Sequence, residues 1–175
     1  MQKPIVAIMY DFDKTLSPKI MQEYGFFSYI GMSADDFWGK CNKLTYENKI
    51  APVLSYMYVT LEEAKGKRLL KREEFNKLGR TVELCPGVES WFERVNAYGE
   101  SVGVCVEHYI ISSGIKEIIE GTPIAKYFKE IYAAEFLYDE DGVPIWPAMA
   151  VNYTSKTQFL FRINKGVLDV TEFLD

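Results

Sequence analysis

The run Ile5-Val6-Ala7-Ile8-Met9-Tyr10 is apolar, rich in β-branched residues and too short for an amphipathic helix, and two carboxylates follow it one residue apart, Asp11 and Asp13. Such a run predicts a strand buried on both faces, as in a parallel sheet. In open α/β sheets ligands lie outside the carboxyl ends of the strands, so acids just past this strand stand where a site would be built. Asp is also common wherever a strand gives way to a turn, and on the acids alone a turn role stays open beside a chemical one.

The spacing adds information. Asp11-Phe12-Asp13-Lys14-Thr15 is an Asp-x-Asp-x-Thr pattern after an apolar strand, and it resembles the nucleophile motif of the haloacid dehalogenase superfamily of phosphohydrolases. The resemblance implies an α/β fold, a Rossmann-like three-layer core with a parallel sheet, carrying an inserted all-helical cap. It also implies that Asp11 attacks phosphorus to form an aspartyl-phosphate. Asp13 would protonate the leaving oxygen and later activate water, and Thr15 would steady the loop. The chemistry is consistent, since a carboxylate serves as a covalent nucleophile and a second group must act first as acid and then as base. Two close carboxylates repel, and Mg2+ held by Asp11 and Asp13 would relieve that repulsion while neutralising phosphoryl charge.

From Ser17 to about Leu84 the pattern reads as helices. Ser33 is placed to cap a helix with Asp36 in its first turn, and Phe37, Trp38, Cys41 and Leu44 follow at helical spacing. Pro52 suits the first turn of the next helix, with Val53, Leu54, Met57, Tyr58 and Leu61 as its apolar face. Leu69, Leu70, Phe75 and Leu78 mark a further helix or pair. The aromatics of this segment, Tyr56 among them, are expected either to fill a helical core or to line a substrate pocket. Cys85-Pro86-Gly87 turns the chain back, and a helix from Val88 is expected to end at Tyr98-Gly99. Residues 1–16 and 85–175 would then form the core and 17–84 the cap.

A second buried strand is expected from Cys105 to Ile111, ending in a turn at Ser112-Ser113-Gly114, with a helix from Ile115 to Glu120. A hydroxyl and N–H groups at a helix start form an anion cradle. By resemblance Ser112 matches the superfamily's second motif, with Ser113 as the alternative register and Gly114 completing the phosphate loop. His108, the only histidine, lies well back along that strand and is expected to be structural. Asp139-Glu140-Asp141-Gly142 between apolar arms predicts a hairpin with a solvated acidic turn. Thr154-Ser155 precede a helix that opens with Lys156, and a lysine there opposes the helix dipole. The resemblance assigns Lys156 to the third motif, bridging nucleophile and phosphoryl group, with Lys165 as the competing lysine.

The superfamily's fourth motif, a Gly-Asp or Asp-Asp pair after the lysine, has no counterpart here. Asp169, Glu172 and Asp175 are the acids that remain, so the chain is expected to be part of a longer protein, to bind magnesium weakly, and to leave the Ile5–Tyr10 strand as an exposed sheet edge that makes it either poorly stable or self-associated. Ile20 stands where phosphoserine phosphatases place a substrate-reading Glu, and Glu23 is out of register. The expected activity is a Mg-dependent phosphomonoester hydrolase acting on a small phosphorylated metabolite. The alternative is a catalytically incomplete relative that binds a phosphometabolite or a partner.

A net charge of −5 argues against a nucleic-acid partner, and the basic residues Lys65, Lys67 and Arg68 are flanked by Glu62, Glu63, Glu73 and Glu74. Cys41, Cys85 and Cys105 form no Cys-x-x-Cys pair and suggest reduced thiols in a cytoplasmic protein. No apolar run approaches the ~18 residues of a membrane span.

Overall fold

β1 (Ile5–Tyr10) pairs in parallel with β2 (Cys105–Ile115), β2 in parallel with β3 (Phe128–Tyr138), and β3 antiparallel with β4 (Pro144–Met149). The resulting order is β1-β2-β3-β4. The computed structural model from which this is read describes residues 3–66 and 70–173.

The mainly parallel α/β sheet expected from the sequence is present. Among the described residues β1 is the edge strand, the position expected for it in this chain, but the expectation that the run is fully buried is corrected, with Ile5 52% and Val6 44% exposed. An apolar, β-branched run fixes the strand but not how many neighbours it has, because pairing on either side depends on segments distant in sequence. The buried strands are β2 and β3, where Tyr109, Ile110, Ile111, Tyr132, Ala133 and Ala134 are nearly or wholly inaccessible. Alternation along β2 sends Ile110 to one face and Tyr109 and Ile111 to the other.

On the first face lie the helices between β1 and β2. A short 3-10 turn at Met21–Glu23 is followed by α1 (Phe26–Ile30), α2 (Ala34–Asn48), α3 (Pro52–Gly66), α4 (Arg72–Gly79) and α5 (Val88–Ser101). Ser33 caps α2 as expected, its Oγ accepting the Asp36 N–H at 3.1 Å. α3 opens at Pro52, where the missing N–H costs nothing. Lys67, Arg68 and Leu69, singled out in the sequence, lie outside the described residues. α5 runs on past Gly99, which is not a stop: a Cβ there would lie 2.5 Å from Val106 Cγ2, so the glycine lets helix and strand approach.

The helical segment shares a buried core with the sheet. Phe26, Phe37, Met57 and Phe75 belong to one buried cluster with Phe92, Ile110, Ile115 and Phe136. α4 crosses α6 (Lys116–Glu120) at two glycines: a Cβ on Gly79 would fall 2.1 Å from Ile118 O, and one on Gly121 2.0 Å from Asn76 O. On the opposite face, α7 (Lys156–Lys165) packs Phe159 and Ile163 against Tyr109, Ile111 and Tyr132, completing three layers.

The β3–β4 hairpin forms as expected. Gly142 takes φ 77°, and Asp139 Oδ1 accepts the N–H groups of Asp141 and Val143, so this acidic cluster is a turn.

Candidate active site

The loop after β1 is organised on one carbonyl. Phe12 O accepts the N–H groups of Thr15 at 3.2 Å, Leu16 at 2.9 Å and Ser17 at 3.2 Å, with Lys14 in the left-handed region at φ 59°. Phe12 is buried beneath it, which leaves Asp11 and Asp13 on either side of an anchored residue. Thr15 is exposed and joins the loop through its main chain. The helical segment leaves and returns beside this loop, because Cys85 N–H donates to Leu16 O at 2.8 Å.

Asp11 is half-exposed. Its Oδ1 accepts the Phe12 N–H at 2.8 Å, and Lys156 Nζ lies 2.7 Å from its Oδ2. Lys165 sits at the other end of α7 with its ammonium over the Phe161 ring. Asn152 places Lys156: its Oδ1 accepts the N–H groups of Thr154 at 3.0 Å and Ser155 at 2.8 Å, while Ser155 Oγ accepts the Asn152 N–H. The turn that starts α7 is thus tied by Asn152, although Thr154 and Ser155 are the residues that stand out in the sequence. The Asn-x-x-Ser spacing was the available signal. With Asp11 opposite, the unfavourable lysine at a helix start gains a compensating charge.

Asp13 is mostly enclosed. Its Oδ1 accepts the Met21 N–H at 2.9 Å. Burial pushes its carboxyl up to about 7 and the Asp11 charge adds to the rise, with the Met21 N–H and then Lys156 and Lys14 opposing. A carboxyl poised there can donate a proton near neutrality and accept one back.

The Ser-Ser-Gly reading needs correction. These residues do not form a turn before a helix at Ile115; β2 continues through Ile115 and α6 begins only at Lys116. Between Ile111 and Ile115 the strand bulges, since those residues pair with Tyr132 and Ala134 of β3. A five-residue helix beyond a bulged strand end takes the place of the helix-start cradle. Ser112 is buried and its Oγ accepts the Gly114 N–H at 3.1 Å, Ser113 O accepts the Tyr56 hydroxyl at 2.6 Å, and Ile115 N–H points to Met21 Sδ at 3.0 Å. The parallel register, Tyr10 opposite Ile110, carries Asp11 and Ser112 to the same end of neighbouring strands.

Met21 is the site neighbour that the sequence did not single out, and Tyr56 is the one of the expected aromatics that reaches the site. Tyr56 reaches down from α3, and burial raises its hydroxyl pKa, with the Asp13 and Glu117 charges adding. His108 is structural, its ring nitrogens paired with Tyr10 Oη at 2.8 Å and Asn96 Oδ1 at 2.9 Å.

Among the described residues no three His, Cys, Asp or Glu side chains converge as a metal cluster. Asp169 lies past the far end of α7 and its Oδ1 is taken up by the N–H and hydroxyl of Thr171. Asp175 is outside the described residues. No described helix is long and apolar enough to cross a membrane.

This three-layer architecture, with an acidic loop after the first strand and a lysine returning to it, is the haloacid dehalogenase fold in its phosphoserine-phosphatase-like form. A family hydrolase from Salmonella enterica serovar Typhi superposes with a TM-score of 0.68 at 18% identity, covering 97% of this chain and 54% of that one. A probable phosphoserine phosphatase from Vibrio cholerae superposes at 0.64 with 11% identity, covering 94% of this chain and 47% of that one. In sequence, the chain is 27% identical over 188 residues to an uncharacterized protein of Borreliella burgdorferi, spanning 93% of this chain and 65% of that protein. The chain thus spans about half to two thirds of the length of these relatives. No family model matches it.

Proposed function

We propose that this chain carries the phosphoryl-transfer centre of a Mg-dependent phosphomonoester phosphatase. The observation that carries the reading is the pairing of an accessible Asp11 with Lys156, beside an Asp13 whose proton affinity is tuned to neutrality. An Asp11 oxygen attacks phosphorus as the bond from phosphorus to the ester oxygen breaks, and Asp13 gives its proton to that leaving oxygen. Water then attacks the aspartyl-phosphate and yields its proton to Asp13, which frees phosphate and restores the Asp11 carboxylate. Lys156 and the Ser112 hydroxyl hold phosphoryl oxygens, Gly114 lets the bulged end of β2 approach them, and Ser113 secures that end through Tyr56.

The residues present suit a hard divalent cation in part. Asp11 and the main-chain carbonyl of Asp13 would hold Mg2+ from one side, where the Asp11 charge already destabilises an ionised Asp13. Bound there, the ion supplies charge neutralisation at the phosphoryl group. Thr15 supports the loop that presents both acids. The 1–16 and 85–175 segments act as the catalytic core and 17–84 as the cap that reads the substrate.

The substrate is a small phosphorylated metabolite. The relatives described as phosphoserine phosphatases lend that name no further than the fold, and Ile20 offers no carboxylate for an amino group. A chain of net charge −5 with three unpaired cysteines suits work on such metabolites in the cytoplasm, without nucleic acid. The lack of a third metal acid among the described residues favours a second reading, a phosphometabolite-binding module without turnover. A screen of phosphorylated metabolites with Mg2+ titration, run beside Asp11→Asn, separates them. Turnover abolished in the variant supports the enzyme, and saturable binding without turnover in both supports the module.

A further inference from the structure

Met21 packs against the bulged end of β2, beside Gly114 and the Ile115 N–H. It is wholly buried, on the 3-10 turn just after the acidic loop. Its Sδ takes the Ile115 N–H at 3.0 Å, at the bulged end of β2. A Cβ built on Gly114 would fall 2.0 Å from Met21 Cε and 2.7 Å from its Sδ, and 3.4 Å from Ser112 Oγ. The methyl group therefore lies over Gly114, where any side chain would have to push it aside. The same residue is tied to the acidic loop by its main-chain N–H on Asp13.

We propose that Met21 is a displaceable plug over the phosphoryl-binding end of β2, and that a phosphoryl group enters by pushing its thioether aside. The inference rests on the reading of Asp11, Ser112 and Lys156 as a phosphoryl site. A thioether sulfur is a weak acceptor, whereas a phosphoryl oxygen takes the same N–H in a charge-assisted bond roughly twice as strong as a neutral one. Methionine is unbranched with several rotatable bonds, so it leaves a seat without straining its own backbone. The exchange is favourable for an anion and unfavourable for water or an uncharged ligand. Met21 is then a positioning residue that keeps the donors of β2 satisfied until the proper ligand arrives.

The test is titration of the chain with inorganic phosphate in the presence of Mg2+, after labelling its methionine methyl groups with 13C. Six methionines give the spectrum, and the Met21 signal is the one lost in Met21→Leu. The expected result is that this signal moves with phosphate saturation towards the position of a mobile methionine. If the plugged form makes up about nine-tenths of the free population, Met21→Ala tightens apparent phosphate binding about tenfold. Met21→Leu, which keeps the volume but offers no acceptor, tightens it in the same direction should the alanine variant fold poorly. Phosphate bound with the Met21 signal unmoved, or with unchanged affinity in both variants, overturns the plug. Ser112→Ala and Lys156→Ala separate the two ideas. Phosphate binding indifferent to both, or absent altogether, overturns the phosphoryl site itself and the plug with it.

Discussion

Lys156 Nζ stands 2.7 Å from Asp11 Oδ2, joining the start of α7 to the loop after β1 across 145 residues of sequence. The contact selects one lysine of α7 over the other. Lys156→Ala is expected to lower turnover of an aryl phosphate roughly 100- to 1,000-fold, as removal of a single preorganised donor does elsewhere. Lys165→Ala is expected to leave it unchanged. Asp11→Asn should abolish turnover and prevent trapping of phosphate on the protein. Equal losses in the two lysine variants would mean that the ion pair only holds α7 in place.

Asp13 should be visible as an acid directly. In metal-free protein its carboxyl 13C resonance is expected to titrate near 7, since burial and the Asp11 charge both favour the protonated form. Adding Mg2+ should lower that midpoint, because a nearby cation favours the carboxylate. In turnover, Asp13→Asn should harm alkyl phosphates far more than aryl phosphates with good leaving groups. Equal harm to both would confine Asp13 to the metal or the loop.

Glu117 makes stability depend on pH. Its side chain is buried, Arg72 Nη2 is 3.9 Å away, and burial pushes the carboxyl up to about 7, with the Tyr138 hydroxyl and the Arg72 charge opposing. The folded state therefore binds this proton more tightly than the unfolded chain does. Its contribution is complete below the unfolded value of 4.5 and is lost as pH rises through about 7. Glu117→Gln should flatten that part of the stability profile and gain, at pH 8, up to about 3 kcal/mol relative to the parent. Denaturant melts at pH 5 and pH 8 measure it, and an unchanged slope between them would assign the pH dependence to other groups.

The α4–α6 crossing should tolerate no side chain. Gly79→Ala and Gly121→Ala each drive a methyl into backbone atoms about 2 Å away and should cost ~1–3 kcal/mol or more. Gly39→Ala, in α2 with nothing within 4 Å of where its Cβ would stand, should gain ~0.5–1 kcal/mol from helix propensity. Thermal melts of the three variants read the contrast directly. A mild effect at Gly79 and Gly121 would show that the helices can separate.

Local physics wrote much of this protein into its sequence. The Ile5–Tyr10 strand, the Ser33 cap and the Asp-Gly hairpin were legible because each depends on a few adjacent residues. Chain neighbours alone could not decide how far β1 is covered, since the segments that pack on it arrive from a hundred residues away. The end of β2 was misread for the same reason. Ser-Ser-Gly has strong turn propensity, but pairing with β3, the N–H groups taken up by Ser112 and Met21, and the Tyr56 hydroxyl donated to Ser113 O keep it extended. Met21 looked like one apolar residue among many, and its place over Gly114 exists only once the two segments meet. The proton affinity of Asp13 and Glu117 is likewise a property of enclosure, because a carboxyl is perturbed by the water it loses, and the sequence does not say which carboxyls lose it.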